Sequence, residues 1–533
     1  MKILTAAEMA AADKHTVEAG ISISTLMENA GESVAKFCLR QYPDAAHVLV
    51  VCGKGNNGGD GFRAAQVLAG EGVGVRVLLL GLQADVKGDA AESLRKLKES
   101  TDEEIVEEFE GDVDPTDLAD LFAEADLIID AVVGTGFKPP LRGAAATVRD
   151  ALAIVKVPVV AVDLPSGWDA DSQQETVEGS FRADAVVTFT APKLSHVFGH
   201  LTADVFGPVV VGDIGSPESA VVSESGLHWA PASKRLTEKP RPINSNKGKF
   251  GHVLVVGGSY GTAGAPAMAS LACLRAGAGL VTAAVPRGMW ELVARIAPEL
   301  MMRPLEEDSK GDVSLEHLDD LLKGIKVIAL GPGLSTRGES SEFGRQLVAR
   351  TTLPIVIDAD ALNAFDSEKA KDLSGAERTM VLTPHPGEMA RLLGITVPEV
   401  EADRIGIARK FATEHQLTLV LKGWRTLIAH PDGSIGVNTS GNPALAKGGS
   451  GDILTGIVAA MLAQHPDQVA EAVEAAVYLH GLAADICAQA IDEKTVLATD
   501  VLDYLTAAFR YRLNDQDGLI WLCGLNQKLS AVS

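Results

Sequence analysis

Apolar runs recur along this chain, separated by stretches with helical spacing. In the first half they fall at residues 48–52, 75–80, 127–133, 157–162, 185–189 and 209–211. Each is nearly continuous rather than alternating, so each reads as a strand buried on both faces. Amphipathic stretches at 63–69 and 118–124 lie between them, and an alanine-rich segment with helical spacing covers 6–35. Strands alternating with helices predict a parallel sheet with helices on both sides. The pattern breaks over 215–245, where Gly215-Ser216-Pro217 is followed by Pro231, Pro240, Pro242 and Asn244-Ser245-Asn246, the composition of a linker. From Gly251 it resumes, with strands at 253–256, 280–285, 327–330, 355–357, 380–382 and 417–421, and helices at 265–276, 453–463 and 469–489. The segment 514–533 holds Trp521 and Leu522 without a clear period and reads as a loose tail or a packing strap. The organisation expected is an α/β domain over 1–214, a linker over 215–240, a second α/β domain over 241–510 and a tail over 511–533, with no convincing internal repeat.

Composition narrows the partners. The 533 residues are too many for one core, and a hydrophobic share of 46% lets both halves build their own. Acidic residues number 71 against 47 basic ones, a formal charge of -24. Such a surface repels nucleic acid and anionic membranes, so neither is expected as a partner. No run approaches the ~20 apolar residues of a membrane span, and the N-terminus lacks a signal-peptide core. Five scattered cysteines with no C-x-x-C pair fit reduced thiols without a zinc framework. The expectation is a cytoplasmic protein.

Two glycine-rich loops follow or open these elements. The first is Gly53-Lys54-Gly55-Asn56-Asn57-Gly58-Gly59-Asp60-Gly61, after a strand; the second is Lys447-Gly448-Gly449-Ser450-Gly451-Asp452, opening a helix. Glycine lets backbone N–H groups approach a phosphate, and a helix N-terminus adds a favourable dipole. The first loop matches G-x-G-x-x-G, yet the second strand ends Leu79-Leu80-Gly81 without the carboxylate that a plain dinucleotide-binding domain places on the ribose. Two further strand ends, Asp130 to Phe137 and Asp163 to Asp169, should converge on it. Asp130 and Asp163 close or follow apolar runs, a costly place for a carboxylate without a partner. Either has the alternative of capping the next turn. Asn57, Asp130 and Ser166 offer oxygen ligands only, which suits a hard cation rather than zinc.

At the second loop, Asp452 beside an anion hole can take the proton from a hydroxyl as phosphate transfers to it, or simply cap the helix. The loop is not a P-loop, which needs G-x-x-x-x-G-K-[ST]. Gly331-Pro332-Gly333-Leu334, Asp358 to Asn363, Thr383 to Arg391 and Lys422-Gly423 lie at neighbouring strand ends. His385 and Glu388 have the i, i+3 spacing of a metal pair, but the flanking prolines argue against a helix there, and a turn shaping a pocket is expected instead. Lys422 either neutralises a nucleotide phosphate or is an ordinary surface lysine.

Over nearly the whole chain these residues resemble known families. Residues 383–391, Gly331-Pro332-Gly333 and 447–452 resemble the NAD(P)H-hydrate dehydratases, whose fold is ribokinase-like; 56–61, 134–137 and 163–168 resemble the NAD(P)H-hydrate epimerases. The fusion in this order resembles the bacterial bifunctional NAD(P)H-hydrate repair family. The resemblance implies an α/β fold in two domains, an N-terminal Rossmann-like three-layer sandwich and a C-terminal ribokinase-like α/β domain. It implies epimerisation of the R and S forms of NADHX and NADPHX by the first domain. The second would dehydrate the S form with ADP as co-substrate and Mg2+ accompanying it.

By position, the epimerase substrate would meet Asn56, Asn57, Gly58, Gly59 and Asp60 with Gly134, Thr135, Gly136, Phe137, Lys138, Pro139 and Pro140. A potassium ion (K+) would sit on Asn57, Asp130 and Ser166. Asp163 would contact substrate as the acid/base, and Lys193 matches a recurrent family lysine. In the dehydratase, Ala265, Gly333, His385, Pro386, Gly387, Glu388, Met389, Ala390 and Arg391 would line the hydrate pocket. Lys422, Gly423, Trp424, Arg425 and Thr426, with Asn442, Pro443, Ala444, Leu445, Ala446, Lys447, Gly448, Gly449, Ser450 and Gly451, would hold ADP, and Asp452 would be the base. Phe62, Arg63 and Lys138 depart from the usual pattern and would tune the choice between NADHX and NADPHX. A homo-oligomer is expected. The rival reading is a ribokinase-like kinase of a small hydroxylated metabolite with a non-catalytic N-terminal nucleotide-binding module, since fold does not fix function.

Overall fold

In the first sheet, β1 (His47–Cys52), β2 (Gly74–Leu80), β3 (Val106–Phe109), β4 (Leu127–Ala131), β5 (Val159–Val162), β6 (Ala185–Phe189) and β7 (Val209–Gly212) run parallel. Alternate side chains of β1 serve two cores. Val48, Val50 and Cys52 pack with Phe37, Phe62 and Leu68 from the helices Ile23–Gln41 and Asn56–Gly70; Leu49 and Val51 pack with Phe122 and Val148 on the other side. Two-sided burial is what a continuous apolar strand encodes, and it makes this unit three layers deep.

The second sheet holds β8 (Leu227–Trp229), β9 (His252–Val256), β10 (Leu280–Pro286), β11 (Met301–Leu305), β12 (Val327–Leu330), β13 (Ile355–Ile357), β14 (Met380–Leu382), β15 (Thr418–Leu421), β16 (Leu427–Ala429) and β17 (Ile435–Val437). Its order is β11-β10-β9-β12-β13-β14-β15-β16-β17-β8, with β16 antiparallel to both of its neighbours. The structure is a computed structural model that describes residues 1–101, 105–111, 114–306, 318–336 and 340–526. Its described residues form two units, 1–225 with 512–526, and 226–511.

Three segments differ from the sequence expectation. The stretch read as a linker contains β8, which pairs parallel with β17, and Lys234 within it is fully buried. The segment read as a loose tail or a packing strap is paired into the first unit as a strand: β18 (Ile520–Cys523) pairs antiparallel with β7, and Trp521 packs near Phe37; residues 527–533 lie outside the described residues. A helix, Pro386–Leu393, begins where the prolines were taken to forbid one, because Pro386 occupies the first turn, where a missing N–H costs nothing.

In both sheets the strand order reverses once among the parallel strands. The first reads β18-β7-β6-β5-β4-β1-β2-β3, so the chain moves outward from β1 to β3 and then returns beside β1 as β4. The second does the same from β9 to β11 and back to β12. Such a reversal opens a crevice at the carboxyl ends of the strands, where ligands bind in open α/β sheets.

Candidate active sites

At the first reversal lies a cavity of about 740 Å³ lined by Asn56, Asn57, Asp60, Gly134, Thr135, Gly136, Phe137, Asp163 and Lys193, among others. The helix Asn56–Gly70 begins beside it after Gly55, which supplies no side-chain cap, so its first N–H groups are open to an anion. A Cβ on Gly134 would sit 2.7 Å from Asp163 Oδ2 and 3.0 Å from Asn57 Oδ1, so the strand end passes between these two groups only as glycine.

Asp163 is the electrostatic centre. Its backbone has a positive φ of 65°, a strained conformation for a non-glycine residue. Lys193 Nζ, itself 1% exposed, donates to Asp163 Oδ1 at 2.9 Å and to Thr188 Oγ1 at 2.8 Å. Thr188 Oγ1 donates to the same Oδ1, while the Thr135 N–H and hydroxyl donate to Oδ2 at 2.7 and 2.5 Å. His196 accepts the Lys193 N–H at Nδ1, so its Nε2 carries the proton and donates to the Asp163 carbonyl at 2.6 Å. Burial alone would raise the Asp163 carboxyl, but the Lys193 ammonium, His196 and these donors hold it well below the usual range. Asp60 shows the opposite displacement: desolvation, reinforced by Asp163 and Asp13, pushes it well above the ordinary value.

Asp130 is fully buried and pushed up to about 6 by burial. Its oxygens accept from the Ser166 hydroxyl at 2.6 Å, the Ser166 N–H at 2.7 Å and the Val132 N–H at 3.2 Å, with no cationic side chain among these partners. Asn57 Nδ2 is buried without a hydrogen-bond partner among the described residues. Asp130 and Ser166 are therefore joined directly, and Asn57 stands against Gly134. Gly58 and Gly59 are buried, whereas Lys138 turns to Asp169 at 2.7 Å and Asp171 at 3.0 Å, and Lys138, Pro139 and Pro140 are outside the cavity lining. Sequence reasoning missed Asp13, Thr188 and Arg142. Asp13 and Arg142 line the cavity. A polar residue in an otherwise apolar strand was the available signal for Thr188.

In the second unit the helix Ser450–Gln464 starts after Gly449, a left-handed glycine without a side-chain cap. Close by, Lys422 Nζ donates to Asp358 Oδ1 at 3.0 Å and lies 3.8 Å from Glu388 Oε2. Thr455 Oγ1, one helical turn after Gly451, donates to Asp358 Oδ2 at 2.7 Å. A Cβ on Gly451 would lie 3.4 Å from Lys422 Nζ, so the glycine run brings the helix start against this ion pair. Asp452 is pushed up to about 6, first by desolvation, then by the Asp358 and Asp360 charges, with Lys422 opposing. Glu388 rises to about 7 by burial, and the carboxylates raise the Lys422 ammonium against its own desolvation. Lys422 is thus no ordinary surface lysine.

His385 caps the helix Pro386–Leu393: its Nδ1 accepts from Gly387 N–H at 3.0 Å and Glu388 N–H at 3.3 Å, while Glu388 Oε2 accepts from His385 N–H at 2.8 Å. That capping box explains the i, i+3 spacing without a metal. Arg391 donates to Asn363 Oδ1, and the carbonyl of Gly333 accepts from Thr262 Oγ1 at 2.7 Å. In the stretch expected from the sequence to hold the nucleotide, Asn442 Nδ2 and Gly441 N–H both donate to the Asp485 carboxylate at 2.9 Å. Lys447 Nζ donates to the carbonyls of Lys494 and Val496, so it fixes the loop rather than projecting from it. Arg425 lies over the Trp424 ring at 4.2 Å. Asp358 was missed as a site residue; its signal was a carboxylate closing a fully apolar strand.

Residues 253–507 match the NAD(P)H-hydrate dehydratase family, and residues 23–195 match the family of the YjeF-related protein N-terminus. The chain is 40% identical to the bifunctional NAD(P)H-hydrate repair enzyme Nnr of Moorella thermoacetica over 99% of this chain and 100% of the relative. It is 35% identical to the Escherichia coli protein of the same name over 93% of this chain and 92% of the relative. Among solved structures, the ADP/ATP-dependent NAD(P)H-hydrate dehydratase from Bacillus subtilis, co-crystallized with ATP/Mg2+, is 33% identical. The match covers 52% of this chain and 95% of that one, with a TM-score of 0.45.

Proposed function

The chain belongs to the family of bifunctional NAD(P)H-hydrate repair enzymes, and on that premise we propose how its two sites divide the work. The N-terminal unit interconverts the R and S forms of NAD(P)HX. The C-terminal unit dehydrates the S form to NAD(P)H at the expense of ADP. The observation that carries this reading is Asp452, held near neutrality beside Lys422 at an uncapped helix start.

In the dehydratase, the Ser450–Gln464 helix N-terminus and Lys422 receive the nucleotide phosphates. Asp452 takes the proton of the substrate hydroxyl as its oxygen bonds to the terminal phosphorus of ADP and AMP departs. The carbon–oxygen bond then breaks, phosphate leaves with the bonding pair, and a neighbouring ring carbon loses a proton to restore the double bond. Magnesium accompanying the nucleotide would neutralise part of the charge on its phosphates.

In the epimerase, Asp163 and Asp60 are carboxyls with oppositely displaced affinities for protons, the arrangement that separates an anion from a proton donor. Asp163 stays ionised and oriented by Lys193, Thr188 and Thr135, and Asp60 carries the proton. Asp130, Ser166 and Asn57 fit a hard cation by their oxygens, and Asp130 is a buried carboxylate with no cationic hydrogen-bond partner among the described residues. Potassium there would supply the missing charge. We place the protein in the cytoplasm, in keeping with its five free cysteines, and propose that it assembles as a homo-oligomer.

The test follows reduced-nicotinamide absorbance on an R/S mixture of NADHX with ADP and magnesium. Wild type should recover all the NADH, Asp163→Ala only the S half rapidly, and Asp452→Ala none. No recovery by wild type with ADP or ATP would overturn the reading in favour of the small-molecule kinase.

A further inference from the structure

Away from both sites, three ligating side chains converge in the C-terminal unit: His228 on β8, His430 just after β16, and Glu474 on the helix Val469–Ala490. Their ligand atoms all lie within 4.8 Å of one another. Strand register explains the meeting. His228 is opposite Gly436 on β17, and Gly436 is opposite Ile428 on β16. His430 lies two residues past Ile428, so it shares that face of the sheet. A Cβ on Gly436 would sit 2.6 Å from Glu474 Oε1. The absent side chain is the space through which the carboxylate reaches, across the middle strand, between the two imidazoles.

Both rings aim at one oxygen: His228 Nε2 is 2.5 Å and His430 Nε2 is 3.0 Å from Glu474 Oε1. The other oxygen, Oε2, accepts the Ser233 hydroxyl, which fixes the carboxylate plane. His430 and Glu474 are buried, while the His228 side chain is 30% exposed and leaves an approach from solvent. We propose that His228, His430 and Glu474 form a binding site for a divalent metal ion of the zinc class, with one position open to water. Two imidazoles and a carboxylate are a three-ligand zinc set, and ligands at about 2.0–2.2 Å from such an ion stand roughly 3.3 Å apart, so the imidazole nitrogens, now 2.5 and 3.0 Å from Glu474 Oε1, would each draw back by less than about 1 Å. Imidazole donors disfavour calcium and magnesium, and Ser233 is the outer-shell group that orients a ligating carboxylate. The scattered cysteines exclude a thiolate framework, but this set needs none. The ion would pin β8 and the end of β16 to the helix that also carries Asp485, the anchor of Asn442. The site shares no residue with the Lys422–Asp452 cluster.

The experiment takes the full-length protein, strips it with chelator, and titrates it with Zn2+ against a chromophoric competitor. Cobalt(II) absorption reports coordination number, and melting is followed with and without zinc. The expected result is one equivalent of zinc, an intense four-coordinate cobalt spectrum and a raised melting temperature. His228→Gln, at the exposed rim, should fold normally and weaken zinc at least tenfold; Glu474→Gln should abolish the cobalt spectrum. Should buried Glu474→Gln fail to fold, His228→Gln alone decides. Substoichiometric binding by wild type, or zinc affinity unchanged in His228→Gln, would overturn the site and leave an ordinary hydrogen-bonded cluster.

Discussion

The two units solve one charge problem in opposite ways. In the N-terminal unit one carboxylate of the cavity, Asp163, takes the ammonium of Lys193 and several hydrogen-bond donors and is driven below its usual range, while Asp60 is driven above its own. In the C-terminal unit a single ammonium, Lys422, is shared among carboxylates, and Asp452 is driven up to about 6. The ratio of donors to acids sets the direction, because each buried charge needs compensation that the protein itself must supply. An over-compensated carboxylate is a fixed anion that orients; an under-compensated one is a base poised near neutrality. The backbone frames are nonetheless alike. A Cβ on Gly53 after β1 would meet the Val132 carbonyl at 2.1 Å, and one on Gly257 after β9 would meet the Pro332 carbonyl at 2.2 Å. Each sheet thus uses a glycine where its order reverses to let the returning chain pass close.

The sharpest way to break the comparison is to remove the poised base. Asp452→Asn should lower the dehydratase kcat by about 10²–10⁴-fold while epimerisation continues. The wild-type rate should also fall as pH drops through about 6, because Asp452 must be ionised to accept a proton and its raised value places the acid limb there. A pH–rate profile flat from 5 to 8 would contradict the assignment.

Next in size is the over-compensated partner. Lys193→Met leaves Asp163 buried without its counter-charge and should cost about 3–5 kcal/mol in denaturant unfolding of the N-terminal unit. The double variant Lys193→Met/Asp163→Asn should regain most of it. No recovery would mean that Lys193 acts through packing alone.

In the other unit the corresponding change has a different signature. Lys422→Met should move the acid limb of the dehydratase profile upward by about one to three pH units, since an opposite charge lowers a nearby carboxylate by that much. An unmoved limb would show that Lys422 does not control Asp452.

The smallest effect tests the periphery. Lys138→Ala breaks exposed ion pairs with Asp169 and Asp171 and should change stability by less than about 1 kcal/mol. Because Lys138 is held by Asp169 and Asp171 and does not line the cavity, the epimerase KM should stay the same for NADHX and NADPHX; a selective change for NADPHX would support Lys138 as a substrate contact.

The alternation of apolar runs with helices and the two glycine loops already determined a doubly wound architecture, because strands buried on both faces carry their burial in every residue. The strands that escaped sequence reading do not. β3 and β11 are sheet edges with exposed positions, and β16 and β17 are short antiparallel segments. β8 and β18 lie in stretches whose pairing partners are distant in sequence. Motif residues such as Asp163, Lys422 and Asp452 were legible because their types and strand-end positions are local facts. What only the tertiary structure decided is the company they keep: Asp13 beside Asp60, Thr188 beneath Lys193, Asp358 against Lys422, and Glu474 between two histidines. Protonation follows distance and burial, and a linear chain specifies neither until distant segments have packed.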